Sequence, residues 1–313
     1  MNKRIVVGLS GRPTDEVAMR WALGYAAPRR FEVDLVHVVD ETWGDIPAGF
    51  RGTARAQAET ELARELAEAV RLEPNLDIHS TVLVGSPTAA LAKRAAGAEL
   101  LVVGSHALGR FRDYVFSTRA AQIAARAPGS VVVVPDRAES PGRGVVVGVD
   151  GSDTSLAAVR FAAEEADRHD EPLTAVYCWS APTPWTAETA LIDWPMEPDD
   201  SDRLVLAEAV AGLATQYPDL DLDLRLEVGL PPETLARVAA GARLLVVGSH
   251  GRHGLQRFWL GSVSQVIVLT MPCPVAVIRP ALSGSESSRS ESSEAGLGEA
   301  ESSEAGPGEA ESS

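Results

Sequence analysis

The sequence predicts an α/β protein made of two consecutive doubly wound domains, each a parallel sheet between layers of helices. Short apolar runs alternate with amphipathic stretches along most of its length, the pattern of parallel βαβ units. The chain also repeats itself: Val7-Gly8 falls on Val147-Gly148, Arg20-Trp21-Ala22 on Arg160-Phe161-Ala162, and Val84-Gly85 on Val228-Gly229, the offset drifting from 140 to 144. Leu101-Val102-Val103-Gly104-Ser105-His106 recurs without a mismatch as Leu245-Val246-Val247-Gly248-Ser249-His250. Hydrophobic residues make up 45% of the chain and aromatic ones 5%, so the interiors are built from Val, Leu, Ile and Ala, which suits a buried parallel sheet under alanine-rich helices.

In the second copy a first strand is predicted over 144–149, after which Ser152-Asp153 marks the start of a helix over 153–169. A strand follows over 173–179, then a helix over 200–216 and a strand over 222–228. Pro231-Pro232-Glu233 opens a helix over 232–241, because proline suits a first turn whose N–H groups have no partner. The strand 243–248, a helix over 262–270 and a strand over 275–279 complete the copy. Both copies therefore read as five strands and four helices, and right-handed crossovers make each an open, doubly wound sheet. Ligands of such sheets sit outside the carboxyl ends of the strands, where strand order reverses. Gly148-Val149-Asp150 and Gly248-Ser249-His250-Gly251 both fall at that edge. The domains are expected over 1–138 and 143–281, with a tail over 282–313.

The tail changes the meaning of the charge. Residues 283–313 hold eight Glu and one Arg, so they carry −7 of the formal −16 and leave −9 to the rest. Their Ser, Glu, Ala and Gly cannot bury enough apolar surface to offset chain entropy, and the segment is read as a disordered acidic appendage. An acidic protein of this kind is not expected to bind nucleic acid or an anionic membrane, although a local nest of backbone N–H groups can still hold one small anion. Two cysteines, Cys178 and Cys273, both in apolar surroundings, suggest no disulfide framework but a reducing compartment, the cytoplasm. The apolar run Ile5 to Leu9 is too short for an export signal or a membrane span.

The chemistry concentrates in residues 248–262. Glycines at 248 and 251 follow a buried strand, where they allow positive φ and let backbone approach a ligand without a Cβ in the way. Gly261-Ser262 then opens a helix, whose unpaired N–H groups and positive end attract phosphate; the Ser262 hydroxyl adds a hydrogen bond or caps the helix. Asp150, at the tip of the first strand, accepts from a nucleotide or holds the metal that accompanies phosphates, unless it is an N-cap or turn residue for the next helix. Arg252 and Arg257 lie inside the loop, as phosphate partners or as solvated charges.

Other sites are poorly supported. His250, His253, Cys178 and Cys273 lack metal-binding spacing, and Ser249 and Ser262 lack a recognisable base. The stretch Trp179 to Trp194 is rich in Trp and Pro and borders the site, as a lid, a dimer contact or a partly buried loop.

The segments Val147-Gly148-Val149-Asp150-Gly151-Ser152, Gly248-x2-Gly251-x9-Gly261-Ser262 and Pro272-Cys273-Pro274-Val275 resemble the universal stress protein family, and over roughly 280 residues the chain looks like its tandem bacterial form. The resemblance implies two Rossmann-like domains of HUP/Usp type, each a five-stranded parallel sheet of order 3-2-1-4-5. It also implies ATP, with Mg, as ligand where the glycine motif is complete. By that analogy Gly148, Val149, Asp150, Gly248, Gly251, Gly261 and Ser262 line the nucleotide. The backbone of Val247, Ser249, Arg252 and Val263 lies near the phosphates, and Cys178 contacts adenine through its main chain. Members are mostly regulators of stress survival and growth rather than efficient enzymes, and pair through their last strands, so a homodimer and a protein partner are expected.

The first copy departs from this pattern. Ser10 stands for Asp150, Ala107 for Gly251, and Ser117-Thr118 for Gly261-Ser262. One competent site per chain is expected, in the second domain, with the first as its pairing partner. The rival expectations are a slow Mg-dependent ATPase or nucleotidyl transferase, and an interaction module that has kept the fold without a ligand.

Overall fold

The inner strands of this protein have two faces to bury, and their side chains alternate between them. The computed structural model describes residues 3–12, 15–41, 48–105, 118–136, 142–180, 198–251 and 260–280. The first half runs β1 (Arg4–Leu9), α1 (Asp15–Ala26), a 3-10 turn (Ala27–Arg29), β2 (Glu32–Asp40), α2 (Ala48–Leu72), β3 (Ile78–Gly85), α3 (Pro87–Arg94), β4 (Leu100–Gly104), α4 (Thr118–Arg126) and β5 (Val131–Val134). The second runs β6 (Val145–Val149), α5 (Asp153–His169), β7 (Leu173–Trp179), α6 (Asp200–Ala209), α7 (Leu213–Gln216), β8 (Leu222–Val228), α8 (Pro231–Val238), β9 (Leu244–Gly248), α9 (Ser262–Thr270) and β10 (Val275–Ile278).

Within each half the strands are parallel and ordered 3-2-1-4-5, as β3-β2-β1-β4-β5 and β8-β7-β6-β9-β10. The two five-stranded sheets then merge into one of ten, because β5 and β10 pair antiparallel, Val133 opposite Val275 and Val131 opposite Val277. The last-strand pairing that the family resemblance implies thus takes place inside a single chain. The β5 and β10 edges, which would otherwise offer unpaired N–H and C=O groups, cover each other, and β3 and β8 are left as the outer strands.

Alternation sorts the core into two layers. Val7, Leu35, Val102, Val147, Ala175 and Val246 pack under α1, α2, α5 and α6. Their neighbours Val6, Val36, Leu101, Val146, Val176 and Leu245 pack under α3, α4, α8 and α9. Small side chains on the helices, such as Ala22, Ala26, Ala162 and Ala166, let them sit close to the sheet.

Two predicted helices differ from those observed. The helix expected over 200–216 is broken into α6 and α7, because Gly212 at φ 87 adopts a left-handed conformation that turns the chain. The helix expected over 232–241 begins at Pro231 and ends at Val238, ahead of Gly241. With the extra short helix, the described residues of the second half form five helices rather than four.

The halves also meet outside the strands. Tyr25 of α1 stacks on Phe161 of α5 with ring centroids 6.0 Å apart. Arg29, its guanidinium 3.8 Å from the Tyr25 centroid, bonds Glu164 at 3.1 Å and also Glu165. Arg279, just beyond β10, donates to the carbonyls of Ala124 and Ala125 at 3.0 Å each, in the last turn of α4, where helix carbonyls lack partners of their own. Among the described residues no helix is long and apolar enough to cross a membrane. The segment 282–313 lies outside the described residues.

Candidate functional site

At the carboxyl edge of β6, β7 and β9 the second half encloses a cavity of about 500 Å3. Ten of the residues singled out in the sequence line it: Gly148, Val149, Asp150, Cys178, Val247, Gly248, Gly251, Gly261, Ser262 and Val263. Ser249 does not; it is buried, and its hydroxyl lies 3.0 Å from His250 Nδ1. Arg252, Arg257 and His253 lie outside the described residues, as do 181–197 of the Trp-rich stretch and Ala107 and Ser117 of the first half.

Asp150 hangs at the tip of β6. Its Oδ1 accepts from the Ser152 N–H at 2.9 Å and the Ser152 hydroxyl at 2.6 Å, a local turn that aspartate favours. Asp150 is not the cap of α5; that role belongs to Ser152, whose hydroxyl oxygen accepts from the Ser155 N–H at 3.2 Å. The other carboxylate oxygen, Oδ2, points at Gly251, where an added Cβ would stand 2.8 Å from it.

A ladder of hydrogen bonds holds the loop after β9. Ser249 N–H donates to the Ile278 carbonyl at 2.9 Å, and Gly261 N–H to the Ser249 carbonyl at 2.8 Å. The Ser264 hydroxyl donates to the Gly248 carbonyl at 2.5 Å, and the Thr154 hydroxyl to the His250 carbonyl. The start of α9 is thereby fixed against residues 248–251. Gly261 is its N-cap and offers no capping side chain, and the first turn lines the cavity with Ser262, Val263 and Ser264. A helix end of this kind suits an anion.

Two expectations change here. Ser262 is the first helical residue, exposed, and does not cap the helix. Gly248, Gly251 and Gly261 do not occupy positive φ; the third lies at φ −60. Their glycine character answers to space instead: a Cβ at Gly248 would stand 2.8 Å from Thr154 Oγ1 and 3.0 Å from the Ser155 nitrogen.

The sequence reading missed the apolar wall. Val176, Tyr177, Pro231 and Leu235 line the cavity with Ser155 and His250. Two signals were available: Tyr177 precedes Cys178 on the same strand end, and Pro231 opens a helix at the same sheet edge. Burial, and then Glu227 nearby, push the Cys178 thiol up to about 11, and burial pushes Cys273 up to about 12. Both are neutral thiols at ordinary pH, unsuited to nucleophilic or metal-ligand roles. Among the described residues no three His, Cys, Asp or Glu side chains converge on a metal position.

The equivalent tip in the first half is arranged differently. Asp15, the first residue of α1 and fully buried, turns its carboxylate back into the loop after β1. It accepts from Ser10 N–H at 2.6 Å, from Arg12 N–H at 3.0 Å and from the Ser10 hydroxyl at 3.1 Å. Glu61 of α2 leans over Gly11, where a Cβ would collide with its carboxylate, and His37 Cε1 would lie 3.4 Å from that same Cβ. Burial holds the His37 imidazole below its usual range. The first copy has therefore not simply lost the acid of Asp150: a carboxylate from the position of Ser155 occupies the N–H groups of the loop.

Comparison with known proteins agrees with this duplicated architecture. The model of the universal stress protein family matches residues 1–135 and again 143–279. Universal stress proteins of Mycobacterium tuberculosis and Mycobacterium bovis are 31% identical over 292 residues, spanning 88% of this chain and 96% of theirs. One from Mycolicibacterium smegmatis is 30% identical over 289 residues, spanning 88% and 97%. The crystal structure of a universal stress protein from Archaeoglobus fulgidus shares the fold, with a TM-score of 0.67 at 15% identity over 89% of this chain and 98% of that one. With both halves matched and these relatives aligned over nearly their whole length, the chain belongs to the universal stress protein family, in its tandem two-domain form.

Proposed function

We propose that this protein is a nucleotide-dependent regulator that holds ATP, with Mg2+, in its second half alone. One observation carries the reading: the uncapped start of α9, the backbone of 248–251 and the Asp150 carboxylate converge on a single cavity of about 500 Å3, a size typical of small-ligand sites. The phosphates would lie against the α9 N–H groups and Gly251, where a Cβ would fill the space facing Asp150 Oδ2. Asp150 would face the ribose or the phosphate-bound metal, which when present offsets phosphate charge. The base would lie between Val176 and Leu235, beside the Cys178 main chain.

The first half is proposed to bind no nucleotide, because Asp15 already accepts from the N–H groups of its loop and places a negative charge where a phosphate would come. Its part is to pair with the second half. Since β5 and β10 cover each other, a homodimer would join through other surfaces. Occupancy of the site is proposed to change assembly or the choice of a protein partner rather than to drive turnover.

Slow Mg-dependent hydrolysis is a second reading, favoured by His250, which lines the cavity. The test is equilibrium binding of labelled ATP to the full chain with and without Mg2+, together with mass spectrometry of nucleotide released on denaturation. One ATP per chain is expected, without measurable turnover; two per chain, or none, would overturn the proposal.

A further inference from the structure

The halves are related by a pseudo-twofold axis through the antiparallel β5–β10 pair, and α1 and α5 lie on the same face of the sheet beside it. Each residue of α1 has its counterpart in α5, 140 positions later, and the buried positions of the two helices coincide one for one. At the place where the helices meet, however, the counterparts differ in kind. Tyr25 corresponds to Glu165, and Arg29, just beyond α1, to His169.

We propose that this seam is a pairing code: the α1 face of the first half fits the α5 face of the second half and refuses a second copy of itself. The contact as it stands joins unlike groups. Arg29 lies between the Tyr25 ring and the Glu165 carboxylate, with the Arg29 and Glu165 side chains only 6% and 5% exposed. Two α1 faces across the same axis would bring together two arginines and neither Glu164 nor Glu165. Two α5 faces would bring together two copies of Glu165 without Arg29, Arg168 being bonded to Glu164. Either arrangement leaves buried charge without its opposite, which costs far more than an exposed pair contributes. Burial already holds the Glu165 carboxyl above its usual range, and Arg29 acts against it first, with Arg168 behind it. The inference stands apart from the nucleotide proposal, since none of these residues lines the cavity.

Three substituted full-length chains test it. Tyr25→Glu with Arg29→His gives two acidic faces; Glu165→Tyr with His169→Arg gives two basic ones; all four substitutions together exchange the faces. Thermal unfolding of each, beside the unsubstituted chain, is the measurement. The two matched-face chains are expected to unfold about 5–15 °C lower, or to yield no folded protein, and the exchanged chain to recover more than half of that loss. An exchanged chain no more stable than the matched-face chains, or matched-face chains as stable as the unsubstituted one, would overturn the code.

Discussion

A carboxylate stands at the tip of the first strand in each half, and the two do opposite things. At β6, Asp150 is anchored through one oxygen to Ser152 and turns the other toward Gly251 and an open cavity. At β1, Asp15 spends both oxygens on the loop itself, closing with Ser10 and Arg12 what its counterpart leaves open. The strands beneath are nearly interchangeable, Leu100 to Gly104 repeating Leu244 to Gly248. The difference teaches that whether this sheet edge stays open or is closed is decided by a handful of residues beyond the strand ends, while the strands beneath stay the same.

Substitutions that carry one half toward the other probe that lesson. The largest effect is expected from Asp15→Ala, which removes a fully buried carboxylate and leaves the N–H groups of Ser10 and Arg12 without their acceptor. It should lower stability by about 2–4 kcal/mol in urea titration while leaving ATP affinity unchanged. Asp150→Ser, which imports the first half's Ser10, should do the reverse: stability within about 1 kcal/mol of the original, ATP affinity about 10–100-fold weaker by calorimetry. If Asp150→Ser binds ATP as well as the original chain, the contrast between the two tips is mistaken. Gly251→Ala, the residue found at Ala107, should weaken ATP about tenfold, since the methyl meets the mobile end of Asp150 rather than fixed backbone.

A smaller contrast lies at the other end of the strands. In the second half Glu171, 9% exposed, bonds Arg243 at 2.7 Å and the Gly144 N–H at 2.6 Å. Burial pushes its carboxyl up, but these two donors outweigh it and hold it below the usual range. A depressed carboxyl contributes stability above its unfolded value and loses it as pH falls through the folded one. Glu171→Gln should therefore cost about 1–2 kcal/mol at neutral pH, a deficit that shrinks as the pH is lowered through the acid range below the ordinary glutamate value. The first half places the exposed pair Lys3–Glu99 at this corner, 3.1 Å apart. Glu99→Gln should change stability by less than about 0.5 kcal/mol at any pH, and equal effects at the two corners would remove the distinction.

The strands were legible because their apolar runs are bounded sharply: the predicted 173–179 and 222–228 are the observed β7 and β8, and Ser152 caps α5 where expected. The break at Gly212 was not, since a lone glycine in a helical pattern carries no sign of the φ it will take. Most of the cavity was legible from the glycine spacing. Its apolar wall was not, because Val176 and Leu235 look like ordinary core residues until topology brings β7 and α8 to one edge. Asp15 was hidden for another reason: alignment sets it opposite Ser155, so its return to Ser10 depends on where a side chain points. The β5–β10 pairing leaves no mark in either strand, both being short runs of apolar residues.

That pairing has a consequence for dilution. Two separate chains joined by such a short strand pair would part as their concentration fell, whereas halves linked covalently see each other at an effective concentration on the order of millimolar whatever the amount of protein present. A single molecule of this chain therefore already holds the β5–β10 pair, and the half that carries the cavity never has to wait for it.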